Sequence, residues 1–306
     1  MNTIPPDALA AEHSAGWPLL RATRPAQWIK NLVVLAAPIF ALRFDLRSLL
    51  LAAAAFVAFT FISSAAYLIN DVRDIAADRQ HPVKRYRPIA AGIVSRRSAI
   101  SLALILLVAA IVVSVPAGPY LVLAVLAFAG LQLLYSLALK TEPVIDLMLI
   151  ATGYDLRALG GAAAVGVPVS GWFLLCLWLL ALYLAIEKRK AELVRLEGRE
   201  PARAVLTIYS LGWLHRLEIV VTASALMAYS LWAIGRTVLM LITVPLVAYG
   251  LFKYQLLAEQ QHEEAPERLL FTSWHIPITV GIWVVATVTI LALAQQGRLP
   301  IHWLSL

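Results

Sequence analysis

Long apolar stretches, separated by short charged segments, make up most of this 306-residue chain. An α-helix needs about 20 apolar residues to cross a hydrocarbon core of ~30 Å, and all but the first of these stretches approach that length. The pattern predicts nine membrane-spanning helices, at approximately 31–43, 47–69, 97–115, 118–138, 143–164, 171–187, 212–234, 237–255 and 276–295. The first is short enough to be tilted or partly interfacial. The chain is therefore predicted to be an all-α polytopic membrane protein.

Composition supports this fold class and limits the chemistry. Hydrophobic residues account for 61% of the chain and charged residues for only 14%, whereas soluble chains are typically about 25% charged. The single cysteine, Cys176, excludes disulfides and cysteine metal clusters. Residues 1–16 lack the apolar core of a signal peptide, so we expect a disordered cytoplasmic tail there and a single transmembrane domain over 17–306.

Lys and Arg are distributed unevenly between the two sides of the predicted bundle. With the N-terminus in the cytoplasm, the cytoplasmic segments hold 20 of the 25 Lys and Arg residues, which is the asymmetry that the positive-inside rule requires. The two long charged loops, 70–97 and 188–212, then face the cytoplasm. The net charge of +7 lies mainly on this side, where anionic lipid headgroups and phosphorylated substrates are better partners than nucleic acid.

An acidic pattern follows the second predicted span. On a helix with about 100° per residue, the side chains of Asn70, Asp71, Asp74 and Asp78 lie within about 100° of one another. Three carboxylates on one face repel unless a cation neutralises them, and Mg²⁺ is usually held by one or two carboxylates together with substrate phosphates. We therefore predict that these four residues form a Mg²⁺ site. The alternative is a solvated helix at the membrane surface whose acids face water.

Basic residues that suit phosphate oxygens occur after the acidic pattern and at two other positions near the membrane surface. They are Lys84, Arg85 and Arg87 in the loop, Lys188 and Arg189 at the end of the sixth span, and Lys30 at the start of the first. We predict that all six bind substrate. For the last three, plain anchoring of the chain at the membrane interface is the alternative interpretation.

A third polar group lies around the fifth predicted span. Asp146 and Arg157 are eleven residues apart in sequence, hence about 20° apart in angle, so they share one helix face. Charged residues inside a span cost about 2.5–3.5 kcal/mol each on insertion scales and generally mark substrate paths. Tyr135, Lys140 and Tyr154 are further substrate-binding candidates in this stretch. A structural ion pair between helices is the alternative interpretation.

Other patterns exclude several classes of site and predict one packing contact. The six histidines lack the spacing of a zinc site, and the sequence contains neither a P-loop nor a dinucleotide-binding glycine motif. Gly160 and Gly161 lie beside a run of alanines. Small residues let helix backbones approach each other within a membrane, so we predict a close helix contact at these two glycines.

These residues resemble the UbiA superfamily of intramembrane prenyltransferases, whose first acidic motif is N/D-D-x-x-D-x-x-x-D. Residues 70–78 match that motif in full. Within the superfamily the sequence looks closer to the branch of decaprenyl-phosphate phosphoribosyltransferases. The segments that carry this likeness are RPAQWIKN at 24–31, HPVKRYRPIAAG at 81–92, and those at 135–157, 188–193 and 266–270. The resemblance implies nine helices around a central cavity open to lipid, in a bacterial plasma membrane, with Mg²⁺ at the cytoplasmic mouth.

The sequence also departs from the superfamily. The second acidic motif, D-x-x-x-D, is absent after the sixth span, where EKRKAE stands at 187–192. This absence disfavours a prenyl diphosphate substrate and agrees with the phosphoribosyl branch. Glu187 stands where relatives have glycine, and Ser273 stands where they tend to have an acid. Both differences leave the identity of the sugar donor open.

The resemblance implies that the transmembrane domain transfers a 5-phosphoribosyl group from phosphoribosyl diphosphate to a polyprenyl phosphate and releases diphosphate. Asp74, Asp78, Asp146 and Arg157 are then the catalytic candidates, and Mg²⁺ is the cofactor. The first alternative is a prenyltransferase that alkylates an aromatic or other acceptor with an isoprenyl diphosphate. The second is a transporter for a lipid-linked or phosphorylated solute, bound by Asp146 and Arg157. The sequence sets neither the prenyl chain length nor the oligomeric state.

Overall fold

The computed structural model describes residues 18–81, 83–196, 204–261 and 273–297. Within these ranges the protein is all-helical, with eight long α-helices that we number α1 to α8. They are Leu46–Arg73 (α1), Arg96–Ser114 (α2), Pro119–Leu137 (α3), Ile145–Val165 (α4), Gly171–Leu196 (α5), Leu211–Ile234 (α6), Val244–Gln261 (α7) and His275–Gln295 (α8). The predicted tail at 1–16 lies outside the described residues.

Seven of these helices are long and apolar enough to span a membrane, so the described part of the chain forms a multi-pass membrane protein. The exception is α4, which has 21 residues but includes Asp146, Asp155 and Arg157. These three side chains lower the hydropathy of the helix. It packs in the middle of the bundle against α1, α3 and α5. The predicted span at 143–164 is thus a helix in the structure, and neighbouring helices cover its charged face.

The first predicted span, at 31–43, differs from the structure. The chain instead forms a 3₁₀ helix of 11 residues over Pro25–Leu35, followed by a short α-helix over Ala36–Phe40. We call Pro25–Leu35 the 3₁₀ segment. Pro25 lies in its first turn, where the missing N–H leaves no hydrogen bond unmade. A 3₁₀ helix rises about 2.0 Å per residue instead of 1.5 Å, so this short stretch reaches further than an α-helix of equal length.

The close contact predicted at the glycine pair is confirmed. A Cβ atom at Gly161 would lie 1.8 Å from the carbonyl oxygen of Val34 in the 3₁₀ segment, and one at Gly160 would lie 2.2 Å from the ring of Phe59 in α1. Neither position has room for a side chain. The contact fixes α4 against both elements, and it thereby positions the Arg157 side chain one turn earlier in α4.

Side-chain caps fix where three of the helices begin. Asp45 accepts a hydrogen bond from the N–H of Ser48 at the start of α1 (3.0 Å), and Ser95 and Ser210 cap α2 and α6 in the same way. A side-chain oxygen at this position satisfies one of the backbone donors that a helix leaves unpaired. Along their lengths, α1 packs against α2, α5 against α6, and α7 against α8.

Candidate functional site

A cavity of about 700 Å³ opens between the 3₁₀ segment, α1, α3, α4 and α5, at the helix ends predicted to face the cytoplasm. Charged and polar loop residues surround its mouth, whereas apolar residues such as Leu149 and Leu184 line its inner part. Most of the predicted site residues lie on its wall. They are Lys30, Asn70, Asp74, Asp78, Lys84, Arg87, Tyr135, Lys140, Tyr154, Arg157 and Lys188. The fold therefore brings together the acidic pattern and basic residues from several separate stretches.

The acidic pattern begins in α1 and continues past the end of that helix. α1 ends at Arg73, Asp74 is its C-terminal cap, and a short helix covers Ile75–Gln80. The prediction of one continuous helix is therefore wrong at Asp74. The N–H of Asp74 still donates to the carbonyl of Asn70 (2.9 Å), and that of Asp78 to the carbonyl of Asp74 (2.8 Å). This nearly helical path keeps all three polar side chains on the cavity wall.

The two carboxylates on the wall each have a basic partner. Lys140 Nζ lies 2.7 Å from Asp74 Oδ1, and Arg87 Nη1 lies 2.7 Å from Asp78 Oδ2. Lys140 belongs to the turn between α3 and α4, and Arg87 to the loop between α1 and α2. These side chains are about a quarter exposed except for Asp78, which is nearly buried. Acidic and basic side chains thus surround the mouth of the cavity, where a charged ligand can reach them.

Asp71 does not join the other acids of the pattern on the cavity wall. Its side chain is 3% exposed, and it lies between Arg24, with which it forms an ion pair, and Arg87, whose Nη1 is 3.1 Å away. Arg24 also stacks over the ring of Tyr67 at 5.0 Å. The predicted face of three carboxylates therefore divides, because Asp71 turns toward the loop arginines. Its role in the structure is to hold Arg24 and Arg87 beside the cavity.

The remaining acids fit a Mg²⁺ ion that is shared with a bound ligand. Within the described residues, no three Asp, Glu, His or Cys side chains are placed to hold a metal ion by themselves. Mg²⁺ usually keeps several waters and is bound through one or two carboxylates plus substrate phosphates rather than by an all-protein cage. Asp74 and Asp78, with the side-chain amide oxygen of Asn70, offer that donor set on one wall of the cavity.

The 3₁₀ segment contributes further polar residues to the cavity wall. In a helix with three residues per turn, the side chains at i and i+3 eclipse each other. Gln27 and Lys30 follow that spacing, as does Arg24 just before the segment, and all three line the cavity. Lys30 was predicted from its charge and its place at the membrane surface, whereas Gln27 was missed. Its three-residue spacing from Arg24 and Lys30, which is typical of a 3₁₀ helix, is the signal that could have found it.

The basic residues of the loop after the acidic pattern differ in location: one lines the cavity and another is exposed away from it. Lys84 lines the cavity, whereas Arg85 is exposed, donates to the hydroxyl of Tyr86 (2.7 Å) and lies away from the wall. The predicted substrate contact of Arg85 therefore finds no support in its position. His81 Nδ1 accepts from the N–H groups of Val83 (3.1 Å) and Lys84 (3.2 Å). These two bonds shape the loop, and burial, followed by the charge of Lys84, lowers the pKa of His81, a direction that favours the acceptor form.

Arg157 lies at the inner end of the cavity and has only neutral partners. Its Nε donates to Asn31 Oδ1 (2.7 Å), its Nη1 to the carbonyl of Gly153 (2.9 Å), and its Nη2 to Ser63 Oγ (3.4 Å). The guanidinium also lies 4.4 Å from the centre of the Phe128 ring. Among the described residues, no carboxylate pairs with it. A buried cation without a counter-charge is a strong site for an anionic ligand.

Asp146 and Arg189 lie outside the cavity, contrary to their predicted roles there. They pair with each other at 2.9 Å and are 0% and 1% exposed. Asp146 also accepts a hydrogen bond from the hydroxyl of Tyr209 (2.5 Å), whose pKa is raised by burial and by this bond. Arg189 donates to Glu192 at 2.7 Å. Asp146 and Arg157 lie eleven residues apart on α4, or about 16 Å along the axis, which is too far for a direct pair. Asp146 instead forms a structural ion pair with Arg189 of α5.

A second closed group of charges lies beside this one, between α5 and α6. Lys190 Nζ is 3.1 Å from Glu187 and 2.6 Å from Glu218, and all three side chains are buried. His215 Nδ1 lies 3.1 Å from the same Glu218 oxygen. Glu187 therefore pairs within α5 with Lys190, and Lys190 in turn joins α5 to Glu218 of α6. Ser273 is also buried, away from the cavity wall.

Comparisons with known proteins agree with this fold. The chain matches the UbiA prenyltransferase family over residues 32–276. It is 40% identical over 225 residues to the decaprenyl-phosphate phosphoribosyltransferase of Mycolicibacterium smegmatis, a match that covers 71% of this chain and 70% of that one. It is 38% identical over 224 residues to the protein of the same name from Mycobacterium tuberculosis, covering 71% and 74%.

Among solved structures, the fold resembles that of a UbiA homologue from Archaeoglobus fulgidus bound to GPP and Mg²⁺. The TM-score is 0.72, and the match covers 90% of this chain and all of the other. The sequence identity over this match is 16%, so the likeness concerns the fold alone. It agrees with an all-helical membrane bundle.

Proposed function

This chain belongs to the UbiA prenyltransferase family, and on that basis we propose that it is a decaprenyl-phosphate phosphoribosyltransferase. It transfers the 5-phosphoribosyl group of phosphoribosyl diphosphate to decaprenyl phosphate and releases diphosphate. Two relatives of that name share 40% and 38% identity with it over more than two thirds of each chain. The structural observation that carries the proposal is one cavity with two cationic regions, one at its mouth and one at its inner end.

The diphosphate of the donor binds at the mouth in this proposal. Arg87 and Lys140 each hold a carboxylate oxygen at 2.7 Å, and a diphosphate offers oxygen ligands of the same kind. When the donor binds, both cations exchange their carboxylates for its phosphate oxygens. Asp74 and Asp78, together with Asn70, are then released to hold Mg²⁺. Bound there, Mg²⁺ supplies neutralisation of the negative charge on the departing diphosphate.

The phosphate of the acceptor lipid binds near Arg157 in this proposal. The guanidinium is buried, lines the cavity and has no carboxylate partner among the described residues. Its hydrogen-bond partner Ser63 precedes Asn70 by seven residues in α1, which corresponds to about 10 Å along the helix. That separation suits two phosphate groups on either side of a ribose. The apolar inner wall would contact the first units of the prenyl chain.

The proposed reaction needs charge and position rather than a strong base. A phosphate oxygen of the lipid attacks C1 of the ribose, the new C1–O bond forms, and diphosphate leaves with the electron pair of the broken bond. Because the attacking oxygen is already ionised, no side chain has to remove a proton. Arg87, Lys140 and Arg157 bring two anions together, and the apolar wall limits access of water to C1.

We also propose that the cavity opens to the cytoplasm. The helix ends that surround it carry most of the Lys and Arg residues of the chain, and such an excess marks the cytoplasmic side. Phosphoribosyl diphosphate is water-soluble and would reach the mouth from that side. The lipid acceptor would reach the inner part laterally from the membrane.

A prenyltransferase is the second candidate, because the fold resembles a homologue bound to GPP and Mg²⁺. An isoprenyl diphosphate would use the same acidic wall at the mouth. Against this alternative, the segment 187–192 holds closed ion pairs instead of a second acidic motif that lines the cavity. Arg157 is also better suited to an anionic acceptor than to an apolar prenyl chain.

One assay separates the two candidates. Purified protein in lipid nanodiscs is incubated with Mg²⁺, radiolabelled phosphoribosyl diphosphate and decaprenyl phosphate, and the label extracted with lipid is measured. A parallel reaction contains labelled geranyl diphosphate with an aromatic acceptor. We expect label in the lipid fraction of the first reaction only, and only without a chelator. Lipid product from the second reaction but not the first would reject the proposal in favour of the prenyltransferase.

A further inference from the structure

A second cavity, of about 220 Å³, lies at the opposite ends of the helices from the large one. It is formed by the chain just after the 3₁₀ segment, the connection between α4 and α5, and the C-terminal end of α6. Charged, aromatic and hydroxyl side chains line part of it, and they belong to Phe40, Arg43, Ser170, Phe173, Trp232 and Arg236. None of these residues belongs to the proposed reaction site.

Two arginines give this cavity its charge. Arg43 and Arg236 come from distant parts of the sequence, and within the described residues neither makes an ion pair. None of the described lining residues is acidic. The nearest acid in sequence, Asp45, is exposed and caps α1, and its carboxylate also interacts electrostatically with Arg43 from outside the cavity. Cations are scarce on this face, because most Lys and Arg residues lie on the other side. Two arginines and no acid among the lining residues leave this small cavity with a net positive charge.

Aromatic side chains form the floor between these arginines. The rings of Phe40 and Phe173 lie 5.7 Å and 6.1 Å from that of Trp232, and Arg236 lies 6.0 Å from the Trp232 ring centre. Trp232 is 4% exposed, and its indole N–H has no hydrogen-bond acceptor among the described residues. A buried indole N–H normally finds a partner. Its lack of one is a second, independent sign that a ligand completes this site.

We propose that this cavity binds the phosphate headgroup of an anionic lipid from the outer leaflet. Guanidinium groups are preferred ligands for phosphate oxygens, and a floor of Trp and Phe suits the region where headgroup meets acyl chain. The bound lipid bridges the end of the 3₁₀ segment to α5 and α6. The choice of leaflet rests on the proposed orientation of the protein, but the phosphate site itself does not depend on the proposed reaction.

The test compares lipid binding by matched variants. Dioleoyl phosphatidylglycerol is titrated into detergent-solubilised protein, and retained lipid is counted by native mass spectrometry. Phosphatidylcholine, which is zwitterionic and has no net charge, is the control lipid. We assign about 1 kcal/mol to each arginine that contacts the bound headgroup, the value for a basic residue beside an anionic lipid surface. The double variant Arg43→Gln/Arg236→Gln should therefore weaken the tightest phosphatidylglycerol site by about thirtyfold. Arg47→Gln, which removes an exposed charge from the same face outside the cavity, is the matched control and should bind as the parent does.

Three results would overturn the proposal. They are unchanged phosphatidylglycerol binding by the double variant, an equal loss in Arg47→Gln, and displacement of the lipid by millimolar inorganic phosphate, which would indicate a general anion site. If the double variant unfolds, Arg236→Gln alone should still weaken binding by about fivefold. Arg236→Lys should restore part of it. Phosphoribosyl transfer, measured separately, should be unchanged in the folded variants, so failure of this proposal is distinguishable from failure of the proposed reaction.

Discussion

Two groups of ion pairs have similar distances but different access to solvent. At the cavity mouth, the pair of Lys140 and Asp74 (2.7 Å) leaves both side chains 26% exposed. Between α4 and α5, the pair of Arg189 and Asp146 (2.9 Å) leaves them 1% and 0% exposed. An open pair can exchange its carboxylate for the phosphate of a ligand, whereas a closed pair would have to break inside the bundle. Access to the cavity, rather than distance, separates a charge proposed to bind ligand from a charge that joins helices.

The energetic consequences differ in the same way. Exposed ion pairs contribute about 0–1 kcal/mol to stability, because water and salt screen them. Removal of one partner from a buried pair costs about 3–5 kcal/mol, because the other charge remains buried without compensation. Substitutions at the mouth should therefore change ligand binding and turnover. Substitutions between α4 and α5 should instead change the free energy of unfolding.

The largest expected effect is on stability, in Arg189→Gln. This change leaves Asp146 buried without its cation and should lower the free energy of unfolding by about 3–5 kcal/mol. Turnover per folded molecule should stay close to that of the parent protein. Stability can be measured by titration with sodium dodecyl sulfate in mixed micelles. The neighbouring Lys188→Gln, which removes a charge from the cavity wall instead, is the matched control. Equal stability of the two variants would contradict the proposed difference between buried ion pairs and accessible charges.

The next effect is on catalysis, in Asp78→Asn. The amide keeps the shape of the side chain but removes the charge proposed to hold Mg²⁺, so kcat/KM should fall by about a hundredfold to a thousandfold, or about 2.7–4 kcal/mol. The radiolabelled transfer assay measures this loss, and thermal unfolding checks the fold. Glu142→Gln makes the same chemical change at an exposed position outside the cavity and should retain activity. If Asp78→Asn turns over at the rate of Glu142→Gln, the proposed metal wall is wrong.

The smallest effect is expected in Lys140→Gln. Because its pair with Asp74 is open, loss of the ammonium group should change the free energy of unfolding by no more than about 1 kcal/mol. The KM for phosphoribosyl diphosphate should rise by about fivefold, corresponding to about 1 kcal/mol of lost donor binding. Steady-state kinetics with varied donor and fixed lipid give this value. A large loss of stability with an unchanged KM would place Lys140 among the helix-joining charges.

Sequence patterns predicted which charged residues are candidates for the site, but not which of them face the cavity. Lys188 and Arg189 are consecutive and received the same predicted role, yet Lys188 lines the cavity and Arg189 is buried against Asp146. Successive residues on a helix differ by about 100° in direction, so the outcome depends on how α5 is rotated in the bundle. That rotation is set by packing against α4 and α6, which a single sequence does not reveal.

The acidic motif was more predictable, because its spacing is local. Asn70, Asp74 and Asp78 lie on the cavity wall even though α1 ends at Arg73. Asp71 could not be separated from them by spacing alone, since its direction depends on Arg24 and Arg87, which approach from other segments. Local periodicity therefore predicted three residues that line one cavity wall, and contacts between distant segments decided that Asp71 does not join them.

On the side of the 3₁₀ segment that faces the helices, every third residue also contacts a neighbouring helix. Trp28 donates to Ser64 of α1 (3.1 Å), Asn31 holds Arg157, and Val34 lies under Gly161. One residue inserted before Trp28 would rotate the later side chains by about 120° about the helix axis. All three contacts would then be lost together. A three-residue insertion would preserve the row's direction and shift it along the axis. Among insertions of one to three residues, only that of three would leave the later side chains of the row directed toward α1 and α4.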